Sequence, residues 1–580
     1  MPAPAAPKIS ETRWQRIVGF LLYGRHVDRE AKTKARLGLA IVAFVAIYGA
    51  ISLRLVMFAV ASHGHGSHHT FIQDAVATAR PDILDRNGKV IAIDVKAPSL
   101  YAEPRKLIDV DDAEEQLTAA MPDLNSAELR KRLSSKRGFV WLKREITPQQ
   151  KHEIRRLGIP GIGFLTENKR VYPEGPLFSH VVGLVNIDNQ GIAGMEKWLD
   201  EQGLAALHMA GLATGPLQRP VTLSLDTRVQ FALRDELVKA RDKYHAKAAA
   251  GLVLNVNTGE VIALVSEPDY NPNNPTTAND PSRINRITTG VFELGSTFKV
   301  LTVAMALNDG KATLASKFDA THPLHYGRFA IHDFEPQHRW LTVPEIFTYS
   351  SNIGAARMAM AVGVDGHKAF LGKLGQLTRL QTELPESAAP LVPQHWSELS
   401  TMTIAFGHGL SVAPLQAAMG IAACVNGGLL IKPTFLKRDR AQAMEVAKRV
   451  LKPETSRDMR YLMRLNAEKG TATFANVKGY YVGGKTGTAD KVIDGRYSKH
   501  QVLTDFMAIL PADHPKYLVM TMLDEPQAVP GTHGFNTAGW NVGPTSAKVI
   551  ARIAPLLGIE PRFDLPDAKK LILADETASQ

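Results

Sequence analysis

From residue 37 to residue 60 the chain is apolar, interrupted mainly by Arg54 near the far end. About 20 such residues let a helix cross the roughly 30 Å apolar core of a bilayer. Arg54 can reach the far headgroups along its aliphatic stem, so it does not veto a span. The first 36 residues are basic: Lys8, Arg13, Arg16, Arg25, Arg29, Lys32, Lys34 and Arg36 outweigh Glu11, Asp28 and Glu30. Positive charge on that flank predicts that it stays in the cytoplasm and that the bulk of the chain is exported. The reading is a basic tail over residues 1–36 and a transmembrane anchor over residues 37–60. Ala59-Val-Ala61 has the form of a signal-peptidase site, which is the counter-reading. The basic leader and the apolar stretch are both longer than a cleavable signal has, which favours an uncleaved anchor.

At 580 residues the chain is long enough for more than one folded domain, and its apolar and charged fractions, 45% and 22%, are ordinary for globular proteins. A formal net charge of +11 is a modest surplus at this length. With no zinc spacing, Walker loop or basic run interleaved with aromatics, nucleic acid is not an expected partner. Cys424 is the only cysteine, which excludes an intrachain disulfide, and its apolar neighbours predict a buried, inert thiol. Residues 62–69, Ser-His-Gly-His-Gly-Ser-His-His, bring four histidines together. Glycine-rich flexibility and the lack of acidic or cysteine partners favour a solvated linker over a metal grip.

Further along, Asn87-Gly88 between apolar runs predicts a hairpin turn. Residues 113–156 are charged and helical in pattern. A strand is expected over residues 221–226, then an amphipathic helix over residues 228–243. Two apolar runs, 250–256 and 260–266, joined at Asn257-Thr-Gly259 predict a second hairpin. Glycine-rich residues 480–488 read as a strand, as do residues 506–510 and 517–523. Strands at both ends with helices between them give an α+β plan, helices packed on an antiparallel sheet.

The chemistry concentrates in Glu293-Leu-Gly-Ser-Thr-Phe-Lys299, the only Ser-x-x-Lys in the chain. Positions three apart share a helix face, so the Lys299 amine can reach the Ser296 hydroxyl. A serine becomes a good nucleophile when a base takes its proton, and a desolvated lysine can be that base. A helix start also favours developing negative charge. Alone, the pattern is equally a capped core helix. Two more stretches stand downstream: Tyr349-Ser-Ser-Asn-Ile353, whose Ser and Asn also make good helix caps, and Gly483-Gly-Lys-Thr-Gly-Thr-Ala489.

Ser-x-x-Lys, Ser-x-Asn and Lys-Thr-Gly in this order resemble the signature of penicillin-binding proteins and class A β-lactamases. Residues 80–92, Lys169-Arg-Val-Tyr-Pro173, Gly183-Leu-Val-Asn186 and Gly191-Ile-Ala-Gly-Met-Glu-Lys197 resemble the pedestal boxes of class B penicillin-binding proteins. Tyr101-Ala-Glu-Pro104 and Gly407-His-Gly-Leu-Ser-Val412 are similar to the division-specific members, the FtsI type. The resemblance implies an elongated, non-catalytic pedestal over residues 61–225, a transpeptidase domain over residues 226–560 and a flexible tail over residues 561–580. It departs at Leu294, where the family usually has proline, and at Ala538-Gly-Trp-Asn-Val-Gly-Pro544.

The implied activity is peptidoglycan D,D-transpeptidation through a serine acyl-enzyme, with no metal or organic cofactor. Ser296 would be the nucleophile, Lys299 its base and Ser350 the proton relay. Lys485 is the cation expected beside Lys299. Asn352 would hold the stem peptide, and Lys485, Thr486, Gly487 and Thr488 would line the site for its terminal carboxylate. The backbone N–H groups of Ser296 and Thr488 would form the oxyanion hole. Implied partners are peptidoglycan stem peptides, β-lactam antibiotics, a membrane glycosyltransferase of the FtsW type and other division proteins. The implied location is the bacterial inner membrane at the septum, with a single pass, a cytoplasmic N-terminus and a periplasmic catalytic domain. The alternatives are an elongation-specific relative, a β-lactam sensor or hydrolase on the same fold, and a catalytically idle division scaffold.

Overall fold

The structure is a computed structural model that describes residues 29–61, 79–201, 219–493 and 495–573. Most of the basic tail, the histidine-rich 62–69 stretch and the last residues of the C-terminal tail lie outside the described residues. The chain divides into residues 1–76 and residues 77–580. In the first unit one helix, α1 (Arg29–Ala61), runs through the apolar stretch, and its described side chains, Ile41, Phe44, Ile47 and Leu53 among them, are exposed. Among the described residues no helix is long and apolar enough to cross a membrane.

The second unit opens with the hairpin expected at Asn87-Gly88. Asp85 closes its turn by accepting from the N–H groups of Asn87 and Lys89, at 2.8 and 2.9 Å, and Gly88 takes φ +87°. Ile83–Leu84 pairs antiparallel with β1 (Val90–Ala102), which pairs with β2 (Val140–Lys143) at its far end and with β3 (Ile162–Val171) from Ile93 to Ala102. The helices Val110–Ala120, Ser126–Leu133 and Pro148–Leu157 pack on this sheet through Leu117, Leu129, Leu133 and Ile154. Side chains of Asp109, Asn125 and Thr147 cap their starts. The segment read as helical throughout therefore carries a strand, where Val140 and Leu142 face inward on alternate positions.

Three of the four stretches singled out above, 80–92, 169–173 and 191–197, meet at buried ions. Glu196 Oε2 accepts from Arg80 Nε at 2.8 Å, and its Oε1 accepts from Arg170 Nε at 2.6 Å. A buried carboxylate is tolerable because both oxygens are met by guanidinium groups. The strand expected over residues 221–226 is shorter: Val221–Thr222 pairs, parallel to Ile83–Leu84, and Leu223 adds an isolated antiparallel bridge to Leu436. Asp226 ends it by capping α2 (Thr227–Lys243).

The central sheet is antiparallel and five-stranded: β4 (Ala248–Asn255), β5 (Val261–Glu267), β6 (Gly483–Ile493), β7 (Arg496–Leu510) and β8 (Tyr517–Asp524), in the order β6-β7-β8-β4-β5. Its faces follow from period-two alternation. Ala249, Val253, Phe506, Ala508 and Val519 face α2 and the C-terminal helix Val542–Leu556. Leu252, Leu254, Met507, Ile509 and Met520 join the core containing α3 (Lys299–Asn308), α4 (Asn352–Val362), α5 (Pro414–Val425) and α6 (Pro453–Lys469). Helices on both faces leave β6 as an edge strand beside the α3 side. Cys424 is a buried free thiol in α5, and burial pushes its pKa up.

The tail expected to be flexible from residue 561 is anchored at several points of its described part, although Phe563 is 76% exposed. Arg562 N–H donates to Gly479 O at 2.7 Å and its guanidinium pairs with Asp513 at 2.7 Å. Ala568 is buried and its N–H donates to Glu468 at 3.0 Å. The mixed charge hid Leu565, Leu571 and Ile572, which pack on the main core.

Candidate active site

Ser296 does not start the helix directly. It lies in a 3-10 turn, Gly295–Phe298, that feeds α3, whose residues Lys299 to Ala306 are buried. Gly295 takes φ +52°, and a β-carbon there would lie 2.3 Å from the Thr488 carbonyl oxygen, so the turn rests directly on β6.

Lys299 is the hub. Its Nζ lies 2.8 Å from Ser296 Oγ, 2.7 Å from Ser350 O, 3.2 Å from Ser350 Oγ and 2.7 Å from Asn352 Oδ1. Four oxygens surround a nitrogen that carries at most three protons. Burial first, and then repulsion from Lys485, hold Lys299 well below the ordinary lysine range, with Asp333 pulling the other way. As a neutral amine it has two N–H donors and a lone pair, and the lone pair can accept the Ser296 hydroxyl proton.

Ser350 sits between the helix Val343–Thr348 and α4 with φ +58°, a conformation that costs a serine about 1–2 kcal/mol. That bend lets its carbonyl and its hydroxyl both meet Lys299. Ser350 Oγ also accepts from Lys485 Nζ at 2.9 Å, so the two lysines share it. The neighbouring Ser351 is the structural member of the pair. It caps α4 through Gly354 N–H and donates to Asp333 at 2.7 Å. Asn352 is partly committed: its oxygen accepts from Lys299, and its Nδ2 donates to His332 O at 2.9 Å.

Lys485 is fully buried on β6, and burial pushes it down to about 7 against the opposing pull of Asp505. Thr486 donates its hydroxyl to Thr471 Oγ1 at 2.8 Å. Thr488 Oγ1 accepts from Ala538 N–H at 3.1 Å and keeps its own proton to donate. The unusual 538–544 stretch thus lies beside the site, and Asn541 caps the helix Val542–Leu556. Gly487 has no room for a side chain, since a β-carbon would lie 2.3 Å from both Leu294 O and Asp505 Oδ2.

Sequence reasoning missed the supports. Asp333, Thr471 and Asp505 are far from the motifs they hold, and nothing local marks them. Glu293, at the head of the Ser-x-x-Lys stretch, accepts from Gly409 N–H at 2.8 Å and Tyr497 OH at 3.2 Å. The His408 ring meets Tyr497 edge-on at 5.6 Å, and burial, aided by Lys299, pushes it down to about 4. These contacts tie the Ser296 turn to the 407–409 loop and to the β6–β7 hairpin. A cavity of about 860 Å³, lined by Asp85, Phe231 and Arg552 among others, contains none of the three motifs.

Residues 249–540 match the penicillin-binding protein transpeptidase domain, and residues 75–204 match the penicillin-binding protein dimerisation domain. The chain is 39% identical over 500 residues to the probable peptidoglycan D,D-transpeptidase FtsI of Caulobacter vibrioides, covering 84% of this chain and 83% of that one. It is 31% identical to the probable peptidoglycan D,D-transpeptidase PenA of Neisseria gonorrhoeae, over 93% of this chain and 96% of the relative. It is 30% identical to the peptidoglycan D,D-transpeptidase FtsI of Escherichia coli, over 84% and 85%. With matched domains, relatives of nearly full length and a serine, two lysines and a second serine in one hydrogen-bonded cluster, the chain belongs to the penicillin-binding protein transpeptidases.

Proposed function

We propose that this protein crosslinks septal peptidoglycan as a serine D,D-transpeptidase of the FtsI type. The observation that carries the reading is the Lys299 amine, buried among Ser296, Ser350 and Asn352 and linked through Ser350 to Lys485. Ser296 Oγ attacks the carbonyl between the last two D-alanines of a donor stem peptide while its proton passes to Lys299. The C–N bond breaks, and the proton moves through Ser350 to the departing D-alanine amine. An amine of a second stem peptide then attacks the ester, forms the crosslink and returns the proton to Ser296. Asn352 presents its remaining N–H to the stem peptide. Lys485, Thr486, Gly487 and Thr488 line the place of the terminal carboxylate. Backbone N–H groups of Ser296 and Thr488 form the oxyanion hole, where each donor contributes about 3 kcal/mol.

The proposed layout is a cytoplasmic tail over residues 1–36, a membrane anchor over 37–60, a pedestal over 61–225 and a transpeptidase domain over 226–560. The anchor rests on the apolar stretch and its basic flank, and sets the catalytic part outside the inner membrane. Held there, it acts on strands made by a membrane glycosyltransferase of the FtsW type, whose effective concentration the anchor raises. The septal role rests on the FtsI relatives and on the 101–104 and 407–412 stretches.

The test is covalent labelling of the full-length protein by a fluorescent penicillin, a mimic of D-alanyl-D-alanine. Ser296→Ala is expected to remain folded and unlabelled, and Lys299→Met to acylate about 10²–10⁴-fold more slowly. Stoichiometric labelling of Ser296→Ala would sink the nucleophile. A fluorescent fusion along the side wall rather than at mid-cell would sink the septal role. A mature N-terminus at Ser62 would sink the anchor.

A further inference from the structure

The Asp505 carboxyl is a fully buried ionisable group beside the site that the reaction above leaves unused. On the sheet Asp505 stands directly opposite Gly487 of the Lys-Thr-Gly stretch. Opposed residues project from the same face. Because Gly487 has no side chain, the Asp505 carboxyl reaches over it. Its Oδ1 accepts the Thr297 hydroxyl at 2.5 Å, and Thr297 is the residue after the nucleophile. A β-carbon on Gly487 would lie 2.5 Å from Thr297 Oγ1, so glycine is what allows this crossing.

Both Asp505 and Thr297 are fully buried. Asp505 Oδ2 has no hydrogen-bond partner among the described residues. A carboxylate removed from water and given one hydrogen bond needs a counter-charge close by. Burial pushes the Asp505 carboxyl up to about 7, and the Thr297 hydrogen bond and then Lys485 pull it back toward the charged form; two residues before Gly487, Lys485 shares the Asp505 face of β6. Asp505 from β7 and Lys299 from α3 are the charged groups that face Lys485, while Asp333 acts on Lys299 and Lys299 in turn on His408. The residues opposing Lys485 and Asp505 across the ladders, Met507 and Met522, carry no charge.

We infer that Asp505 is a positioning residue for acyl transfer: through Thr297 it fixes the nucleophile turn on the Lys-Thr-Gly strand, and it is the counter-charge of Lys485. The first effect sets the spacing between the N–H groups of Ser296 and Thr488. The second keeps Lys485 able to carry the charge that meets the substrate carboxylate. The inference rests on the reading of Ser296 as nucleophile.

The experiment is the rate of acylation by a fluorescent penicillin as a function of pH, with melting curves, for the full-length protein and its variants. Asp505→Asn keeps an oxygen for Thr297 but has no charge. It is expected to hold the maximal rate within about threefold while the limb set by Lys485 moves down by about one pH unit. Asp505→Ala loses the tie as well, and its maximal rate is expected to fall about 10²-fold. Parent rates and an unmoved profile in both variants would overturn the inference. So would equal losses in both that follow the loss of melting temperature, with the profile unmoved. Labelling of Ser296→Ala tests the nucleophile separately. If that variant is silent while the Asp505 variants behave as the parent, only the role of Asp505 falls.

Discussion

Gly407 lies so close against Gly295 that a β-carbon on it would be 2.0 Å from the Gly295 carbonyl oxygen. Gly407 has φ +89°, and Gly295 N–H donates to its carbonyl at 3.3 Å. The obstructing atoms are backbone, so neither side can yield by changing a rotamer. Gly407→Ala is expected to lower stability by about 2–4 kcal/mol, combining left-handed strain with overpacking, and to slow acylation more than tenfold. Gly409→Ala is the control, with a similar φ of +87° but its nearest neighbour 3.3 Å away. Denaturant melts and labelling rates that do not separate the two variants would remove the contact from the explanation.

Asp333 sets a second pH prediction. It accepts from Ser351 Oγ and from Ile353 N–H, and it is the group that pulls the Lys299 pKa upward. Asp333→Asn removes that pull, so Lys299 becomes a free base at lower pH. The acid limb of the acylation rate is expected to move to lower pH. A limb that stays in place or moves up would contradict this assignment.

His367 is buried on the helix Val364–Lys373, with neither ring nitrogen hydrogen-bonded among the described residues and its ring edge-on to Trp396 at 5.9 Å. Burial pushes it down to about 4 from its ordinary 6.5. The unfolded chain therefore binds the proton first. Stability from this group is full above pH 6.5 and is lost as pH falls toward 4, by about 3 kcal/mol in all. Denaturation midpoints measured down that range should fall less steeply for His367→Phe than for the parent.

Deleting residues 561–580 removes the Arg562–Asp513 pair and the seats of Leu565, Ala568, Leu571 and Ile572. The expected loss is about 3 kcal/mol, since these side chains are only partly withdrawn from water. Stoichiometric labelling should survive. An unchanged melting temperature would show that the tail adds nothing.

The reach of the sequence follows the range of the interactions. Ser296 and Lys299 are three residues apart, and the Asn87-Gly88 and Asn257-Thr-Gly259 turns are local, so pattern alone located them. Asp505 meets Thr297 across 208 residues, and a lone acid in an apolar run gives no sign of that partner. Strand β7 starts ten residues before the expected position because Arg496 to Gln501 are polar residues without the alternation of a half-buried strand. The 3-10 turn at Ser296 was read as helix because its side-chain spacing is nearly the same. Gly487 belongs to a motif the sequence displays, but the crossing of Asp505 and Thr297 that its missing side chain makes room for is a contact between distant segments.

The pedestal hairpin bears on how chimaeras of such proteins should be cut. Asp85 Oδ2 accepts the Thr227 hydroxyl at 2.7 Å and its N–H at 3.2 Å, Arg86 N–H donates to Leu225 O at 2.9 Å, and Asn87 Nδ2 donates to Asp226 at 3.1 Å. Three consecutive residues, Leu225 to Thr227, are thus partnered by the three consecutive residues Asp85 to Asn87 of the hairpin. A splice at residue 225 or 226, where the sequence invites one, would join a hairpin tip from one parent to a helix start from another. A foreign tip would leave Asp226 and Thr227 without their matched partners. Exchange between relatives should treat residues 85–87 and 225–228 as one inherited block, carried across together or left in place together.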